Sequence, residues 1–174
     1  KTPRRQRQMC IRDRYYIMES SVKNKIEHYC AYQERCHYDV KNKLNKLGIF
    51  GDQLDEYICY LIDENYLSET RYSEAFVRGK YNNNNWGRIK IKMELNSKNI
   101  SEWNINNALK QITEEDYEKK LFEICEKQMQ NVDSNQYKFK NKIIRRLTQK
   151  GWEMDLIIKL SLIHISEPTR PQCI

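Results

Sequence analysis

The sequence predicts an all-α protein made of tandem three-helix repeats, the third of which is truncated. Residues 15–159 contain no proline, since the three prolines of the chain lie at positions 3, 168 and 171. Proline removes a backbone donor and clashes inside a helix, so its absence suits an unbroken series of helices. A mean hydropathy of −0.92, with 39% hydrophobic residues, indicates thin amphipathic helices rather than a thick core. A recurring apolar pattern defines the repeat.

Three positions, Gly48, Asn99 and Gly151, lie 51 and 52 residues apart and share their surroundings. Apolar residues stand eight and four positions before each of them, and one and six positions after: Val40, Ile91 and Ile143; Leu44, Leu95 and Leu147; Ile49, Ile100 and Trp152; Leu54, Ile105 and Ile157. The two preceding positions are one turn apart and share one helix face. Glycine and asparagine best tolerate the left-handed conformation that ends a helix. The three residues are therefore predicted to cap the first helix of each repeat.

The same pattern places the helices along the chain. Ser68 is predicted to cap the third helix of the first repeat, and Thr113 that of the second, where acidic residues follow. The apolar face of the latter helix is predicted to hold Leu121, Phe122, Ile124 and Cys125. The four asparagines at 82–85 are predicted to form a turn between repeats, and residues 131–135 a linker. The predicted helices span 22–34, 38–47, 52–64, 69–81, 87–98, 102–112, 114–129, 136–150 and 153–159.

Both ends of the chain are interpreted as translated sequencing adapter. Residues 9–14 can be encoded by a string whose reverse complement encodes residues 160–165, and natural termini have no reason to carry such an inverted repeat. A native basic arm and a disordered tail are the alternative. The expected organisation is 1–14 adapter, 15–35 leading helix, 36–82 first repeat, 83–130 second repeat, 131–159 partial third repeat and 160–174 adapter.

Metal, membrane and enzymatic functions find no support in the sequence. His28, Cys30, Cys36 and His37 lie close together but lack the paired spacing of a zinc site, so reduced, buried cysteines are expected and no metal. No apolar run has the length of a membrane span. Neither a phosphate-binding loop nor a nucleophile motif is present, so we expect no catalysis and no cofactor. The cytoplasm is the expected location.

Charge is distributed unevenly along the chain. Without residues 1–14 and 161–174 the formal charge falls from +7 to +2, with 24 basic and 22 acidic residues. Residues 136–151 nevertheless carry six basic residues and no acid, and residues 86–98 carry four against Glu94. An unbalanced basic face of this kind favours contact with DNA or a DNA-bound filament. The predicted contact residues are Arg78, Lys80, Arg88, Lys90, Lys92, Lys138, Lys140, Lys142, Arg145, Arg146 and Lys150.

Two alternatives to this interpretation stay open. Single lysines near helix C-termini often only complement the helix dipole and keep the surface hydrated. Tyr81, Trp86, Tyr137 and Phe139 lie beside the basic residues and have rings suited to base stacking. Such rings more often cover a junction between modules, which is the role expected of Trp86.

These residues resemble the RecX family of recombination regulators over nearly all of 22–159. Residues 31–44, AYQERCHYDVKNKL, resemble the family's opening, a helix and an arginine-containing turn before an EL–KL helix. Residues 66–77, YLSETRYSEAFV, resemble its YLDD-RFA--FV motif, and residues 86–95, WGRIKIKMEL, its G--RI---L helix. Ser68 and Glu69 replace the usual acidic pair, Asn99 stands where glycine is common, and the third module is incomplete.

The resemblance implies an elongated, curved protein that lies in the groove of the RecA–single-stranded DNA filament. There it would modulate filament growth, ATP hydrolysis and strand exchange, usually as an inhibitor, with no chemistry of its own. The expected partners are the RecA filament and single-stranded DNA, contacted directly or through RecA, with no membrane, and the expected state is a monomer. A nucleic-acid-binding helical module that acts without RecA, and a purely structural helical adaptor, are the alternatives.

Overall fold

The computed structural model describes residues 19–129 and 136–159. Every regular element within these ranges is a helix, which confirms the all-α prediction. The adapter and linker predictions fall on residues outside these ranges. The helices are α1 (Ser20–Tyr32), α2 (His37–Lys46), α3 (Asp52–Asp63), α4 (Glu69–Asn84), α5 (Arg88–Ser97), α6 (Glu102–Leu109), α7 (Glu114–Met129) and α8 (Gln136–Gln149), followed by a short helix at 154–159.

The chain forms two compact units, unit 1 (Lys1–Tyr72) and unit 2 (Ser73–Ile174). The core of unit 1 is built by α1, α2 and α3 and contains Val22, Ile26, Cys30, Val40, Leu44, Tyr57, Ile58, Tyr60, Leu61 and Leu67. In unit 2 the residues of the apolar pattern, from Ile91 and Leu95 to Leu147 and Ile157, are likewise buried. The division into three repeats stays a prediction.

The three positions expected to end helices share one backbone geometry. Gly48, Asn99 and Gly151 have φ values of 85°, 60° and 82°, which is the left-handed region. The next residue in each case donates its N–H to a leucine carbonyl five positions back: Ile49 to Leu44 at 3.0 Å, Ile100 to Leu95 at 3.2 Å and Trp152 to Leu147 at 3.1 Å. This pattern is the Schellman motif, in which a glycine or asparagine lets the chain reverse and satisfy the last helical carbonyls.

Helix beginnings follow the expected side-chain caps. The Arg71 N–H donates to Ser68 Oγ at 3.4 Å, and the Asp116 N–H donates to Thr113 Oγ1 at 3.1 Å. The Thr113 hydroxyl in turn donates to the Asp116 carboxylate at 2.8 Å. These bonds satisfy first-turn amides that have no partner inside the helix.

Two local predictions were wrong. Residues 82–84 are not a turn but the last residues of α4, and the left-handed residue that follows the helix is Asn85, with φ 53°. Asparagine is only mildly unfavourable in a helix, so a helix already packed through Val77 and Tyr81 continues until a left-handed residue ends it. Phe122 was expected on the buried face of α7 but is 36% exposed.

Two backbone segments of unit 2 meet at Gly87 and Gly151. The Gly87 N–H donates to the Lys150 carbonyl at 2.8 Å, and the Ile89 N–H to the Gly151 carbonyl at 3.2 Å. A Cβ on Gly87 would lie 2.2 Å from the Gly151 oxygen, and one on Gly151 would lie 2.3 Å from the Lys90 nitrogen. We call this the Gly87–Gly151 contact. It fixes the end of α8 against the start of α5.

An aromatic stack adjoins this contact. The Tyr117 and Trp152 rings stack with centroids 4.4 Å apart, and Tyr81 lies 6.2 Å from Tyr117. The Tyr117 hydroxyl accepts the Arg88 N–H at 3.0 Å and donates to Glu153 at 2.6 Å. Burial and the Glu153 carboxylate raise the pKa of Tyr117 far above its usual value, so the hydroxyl remains a donor at physiological pH.

None of the helices that the structure describes has the length and apolar character needed to cross a membrane.

Substitution of either contact glycine is expected to destabilise unit 2. Gly87→Ala should cost about 1–3 kcal/mol through overpacking against backbone, and Gly151→Ala should cost more because a left-handed Cβ adds about 1–2 kcal/mol. Gly79→Ala is the control, because a Cβ there meets nothing within 4 Å in mid-helix and should stabilise by about 0.5–1 kcal/mol. Urea unfolding followed by fluorescence of the tryptophans, all three of which lie in unit 2, measures the differences. Equal stability of the three variants would contradict the close backbone packing at the Gly87–Gly151 contact.

The cysteines provide a second test of the packing. Burial raises the pKa of the Cys30 thiol to about 11 and also raises that of Cys125, while Cys36 is buried and Cys59 is exposed. Because the thiolate is the reactive form, a variant carrying Cys10→Ser and Cys173→Ser should titrate rapidly with DTNB at one thiol at pH 8. The other three should react only in urea. Rapid reaction of a second thiol would show that a core position is open.

Candidate nucleic-acid interface

Trp86 lies between two of the predicted basic residues. It follows α4 and precedes α5, and its ring is 4.9 Å from Lys80 Nζ and 4.5 Å from Lys90 Nζ. The Phe76 ring meets it edge-on, with centroids 6.5 Å apart. Ammonium groups at this distance are attracted to the negative face of the indole ring. The Trp86 ring therefore contacts two cations, one from α4 and one from α5.

Lys150 joins the same region from the other side of the Gly87–Gly151 contact. Its Nζ donates to the Asn84 carbonyl at 3.0 Å, and Lys90 Nζ donates to the Gln149 carbonyl at 3.4 Å. We call Trp86, Lys80, Lys90 and Lys150 the Trp86 cluster. Its lysines bind rings and neutral carbonyls, and none of them pairs with a carboxylate of the described residues. Their positive charge therefore remains available to an anion.

The exposed face of α8 continues the basic surface. Ile143 and Leu147 are buried, and Lys142, Arg145 and Arg146 are exposed on the opposite side of the helix. Lys138 and Lys140 lie on the same helix, but their side chains are outside the described part. The sequence between 136 and 151 contains no acidic residue that could pair with these cations from the same helix.

Three predicted contact residues lie apart from the Trp86 cluster and α8, and two of them pair with carboxylates. Arg88 pairs with Glu114 at 2.6 Å, donates to the Ile112 carbonyl at 2.8 Å and lies 4.3 Å over the Tyr117 ring. Lys92 pairs with Glu102 at 3.3 Å, where both groups are largely exposed. Arg78 lines a separate groove of about 460 Å³. Arg88 is thus held by packing, whereas an exposed pair such as that of Lys92 is weak.

The groove that contains Arg78 also holds basic residues that the sequence analysis missed. Lys119 and Lys120 line it beside Asp116 and Glu123. Lys120 Nζ lies 4.0 Å over the Tyr81 ring and 3.3 Å from Asn82 Oδ1, and burial lowers its pKa, an effect that Glu123 partly offsets. The sequence alone did not single out these two lysines, because they follow an acidic stretch and produce no local excess of positive charge.

The aromatic residues suggested for base stacking differ in availability. Tyr81 is 8% exposed and stacks on Tyr117, so it cannot also stack on a base. Trp86 is half-buried, and the side chains of Tyr137 and Phe139 are outside the described part. Of the four, Trp86 alone is described at the basic surface.

The His–Cys segment of unit 1 is occupied by other contacts. His37 Nδ1 lies 2.7 Å from the Glu69 carboxylate, and Cys30 and Cys36 are buried. Within residues 19–129 and 136–159, no three His, Cys, Asp or Glu side chains are grouped so that they could hold a metal ion.

Comparison with known proteins points to one family. Residues 68–109 match the family model described as RecX, second three-helix domain. The chain is 28% identical over 132 residues to the regulatory protein RecX of Oceanobacillus iheyensis, covering 75% of this chain and 48% of that protein. It is 29% identical over 120 residues to the regulatory protein RecX of Clostridium perfringens strain SM101, covering 67% of this chain and 56% of that protein. The chain therefore spans about half the length of these curated relatives.

Solved structures agree with this result. RecX from Lactobacillus salivarius superimposes with a TM-score of 0.72 and 28% sequence identity, over 85% of this chain and 97% of that one. A second crystal structure, of a regulatory protein RecX, also gives a TM-score of 0.72, over 81% of this chain and 71% of that one. At 21% identity it is similar in fold alone.

Arg88→Ala is expected to reduce stability and leave the salt dependence of DNA binding unchanged. The substitution removes the hydrogen bond to Ile112 and the contact with Tyr117, and should cost about 1–3 kcal/mol in urea unfolding. The ion pair adds little, because Glu114 is 75% exposed. Lys142→Ala is the matched comparison and should show the reverse, with unchanged stability and a salt slope smaller by about 0.7 on single strands. A smaller salt slope for Arg88→Ala would place Arg88 in the interface.

Proposed function

The chain belongs to the RecX family, and on that premise we propose that it regulates the RecA recombinase by binding the RecA–single-stranded DNA filament. The proposed site on the partner is the groove of the filament, where bound protein alters filament growth, ATP hydrolysis and strand exchange. The proposed outcome is inhibition. The protein acts as a monomer in the cytoplasm, where its partner works, and it catalyses no reaction itself.

The observation that carries the proposal is the basic surface of unit 2. The Trp86 cluster and the exposed cations of α8 belong to the unit that contains most of the family match, which spans residues 68–109. A nucleoprotein filament presents repeating phosphates, and a surface of one charge sign attracts it over the Debye length of about 10 Å. Lys142, Arg145 and Arg146 are exposed and can reach such a ligand without losing an internal contact.

Charge reversal on α8 tests the proposal. The variant Lys142→Glu/Arg145→Glu/Arg146→Glu should lose most of its effect on RecA ATP hydrolysis over single-stranded DNA, because three attractive groups become repulsive. If all three contact phosphate, the log–log salt slope of filament binding should fall by about 2, at about 0.7 per contact on single strands. Steady-state ATPase and binding at several salt concentrations measure both effects.

The control carries the same change of net charge elsewhere. Lys41→Glu/Lys46→Glu/Lys110→Glu alters three exposed lysines outside α8 and the Trp86 cluster and should retain inhibition. Equal loss in both triple variants would indicate a general charge effect and contradict a specific surface. No effect of the wild-type chain at stoichiometric RecA would refute the proposal. Equal DNA affinity with and without RecA would favour a nucleic-acid-binding module that acts alone.

A further inference from the structure

Unit 1 has an open groove that combines tyrosine rings with basic side chains. It lies along α1 and α2, has a volume of about 560 Å³, and is lined by Asn24, Lys25, His28, Tyr29, Tyr32 and Lys43. No carboxylate lines it. None of these residues belongs to the basic surface of unit 2.

The residues from α1 form one stripe. Lys25, Tyr29 and Tyr32 are four and three positions apart, so they share a helix face over about 10 Å at 1.5 Å per residue. Tyr32, the last residue of α1, is 80% exposed. An aromatic ring this exposed makes almost no contribution to the core, and it presents a flat apolar surface to a ligand.

The second ring of the groove is surrounded by positive charge. Arg35 lies 4.1 Å from the centroid of the Tyr29 ring, and Lys43 Nζ lies 5.5 Å from it. Two carboxylates of the same segments are used elsewhere, since Glu27 accepts from the Tyr60 hydroxyl and Glu34 accepts from Arg71 Nε at 3.0 Å. The lining of the groove therefore contains two lysines and no carboxylate.

We infer that this groove, which we call the Tyr29–Tyr32 groove, binds single-stranded nucleic acid. The backbone phosphates are held by Lys25 and Lys43, and a base stacks on the exposed Tyr32 ring. A positively charged groove with aromatic platforms is the arrangement by which proteins bind single strands without reading sequence. A duplex keeps its bases stacked inside and cannot use the ring. An acidic peptide would use the lysines but has no flat base to place on Tyr32.

The inference rests on the proposed function and deepens it, because it names the single strand as a ligand of unit 1 in addition to the filament contact of unit 2. It predicts that stacking on Tyr32 contributes a separable part of the affinity for free single strands. It also predicts that this part shows no preference among bases, because every base offers a stacking face.

Anisotropy of a fluorescent 20-nucleotide oligothymidine, titrated with the full chain without RecA, tests the inference. Tyr32→Ala should weaken binding by about fivefold to a hundredfold, the range that one stacked base represents. Tyr32→Phe keeps the ring and should bind within about twofold of wild type. Tyr38→Ala is the matched control, since Tyr38 is also an exposed tyrosine but lies outside the groove. Lys25→Ala/Lys43→Ala should lower the salt slope by about 1.4.

The outcomes separate this inference from the proposed function. Wild-type affinity of Tyr32→Ala for the oligonucleotide would overturn the inference, and so would an equal loss of its binding to poly-glutamate. If wild type and Tyr32→Ala inhibit RecA equally while oligonucleotide binding is unchanged, the inference fails and the proposed function stands. If Tyr32→Ala weakens oligonucleotide binding but the wild-type chain leaves RecA unaffected, the inference about the groove is supported and the proposed function fails.

Discussion

The backbone contact between Gly87 and Gly151 is the constraint on which the candidate interface of unit 2 depends. Two N–H groups cross it, from Gly87 to Lys150 and from Ile89 to Gly151, at a separation that leaves no room for a Cβ on either side. Because the end of α8 is held here, Lys150 reaches the Asn84 carbonyl and Lys90 reaches that of Gln149. Lys80 and Lys90 thus lie against one indole ring, and Lys150 is held at the Asn84 carbonyl, two residues before that ring in the chain.

The aromatic stack beside the contact makes this arrangement rigid. Trp152 packs on Tyr117 and donates its indole N–H to the Asn85 carbonyl at 3.1 Å, so a single side chain joins the apolar stack to the turn before α5. Arg88 completes the junction through Glu114, Ile112 and the Tyr117 ring. A buried polar group that has all its partners specifies one packing, because any shift leaves a donor or acceptor unsatisfied.

The sequence was sufficient for the fold but not for this junction. The phase of the apolar pattern placed the helices to within about three residues and identified Gly48, Asn99 and Gly151 as positions of positive φ. It did not identify Gly51, Asn65 or Asn85. It did not show that Gly151 must also lack a Cβ because the Lys90 backbone lies against it. The left-handed conformation alone already accounted for a glycine at this position. Residues 82–84 were assigned to a turn on composition, whereas the packing of Val77 and Tyr81 carries α4 through them. The Tyr29–Tyr32 groove was missed because its lysines and tyrosines come from two helices and form no local run.

Formal charge does not distinguish a cation that binds a ligand from one that holds the fold. Arg88 and Arg145 count equally in a sequence, yet the first has its donors directed at Glu114 and Ile112 while the second is exposed on α8. Removing Arg88 breaks a packed junction, whereas removing Arg145 changes only the electrostatic potential outside the protein. The useful criterion is therefore whether a cation already pairs with a carboxylate of the protein. By that criterion α8 and the Trp86 cluster, and not the net charge of the chain, are the features that favour a polyanionic partner.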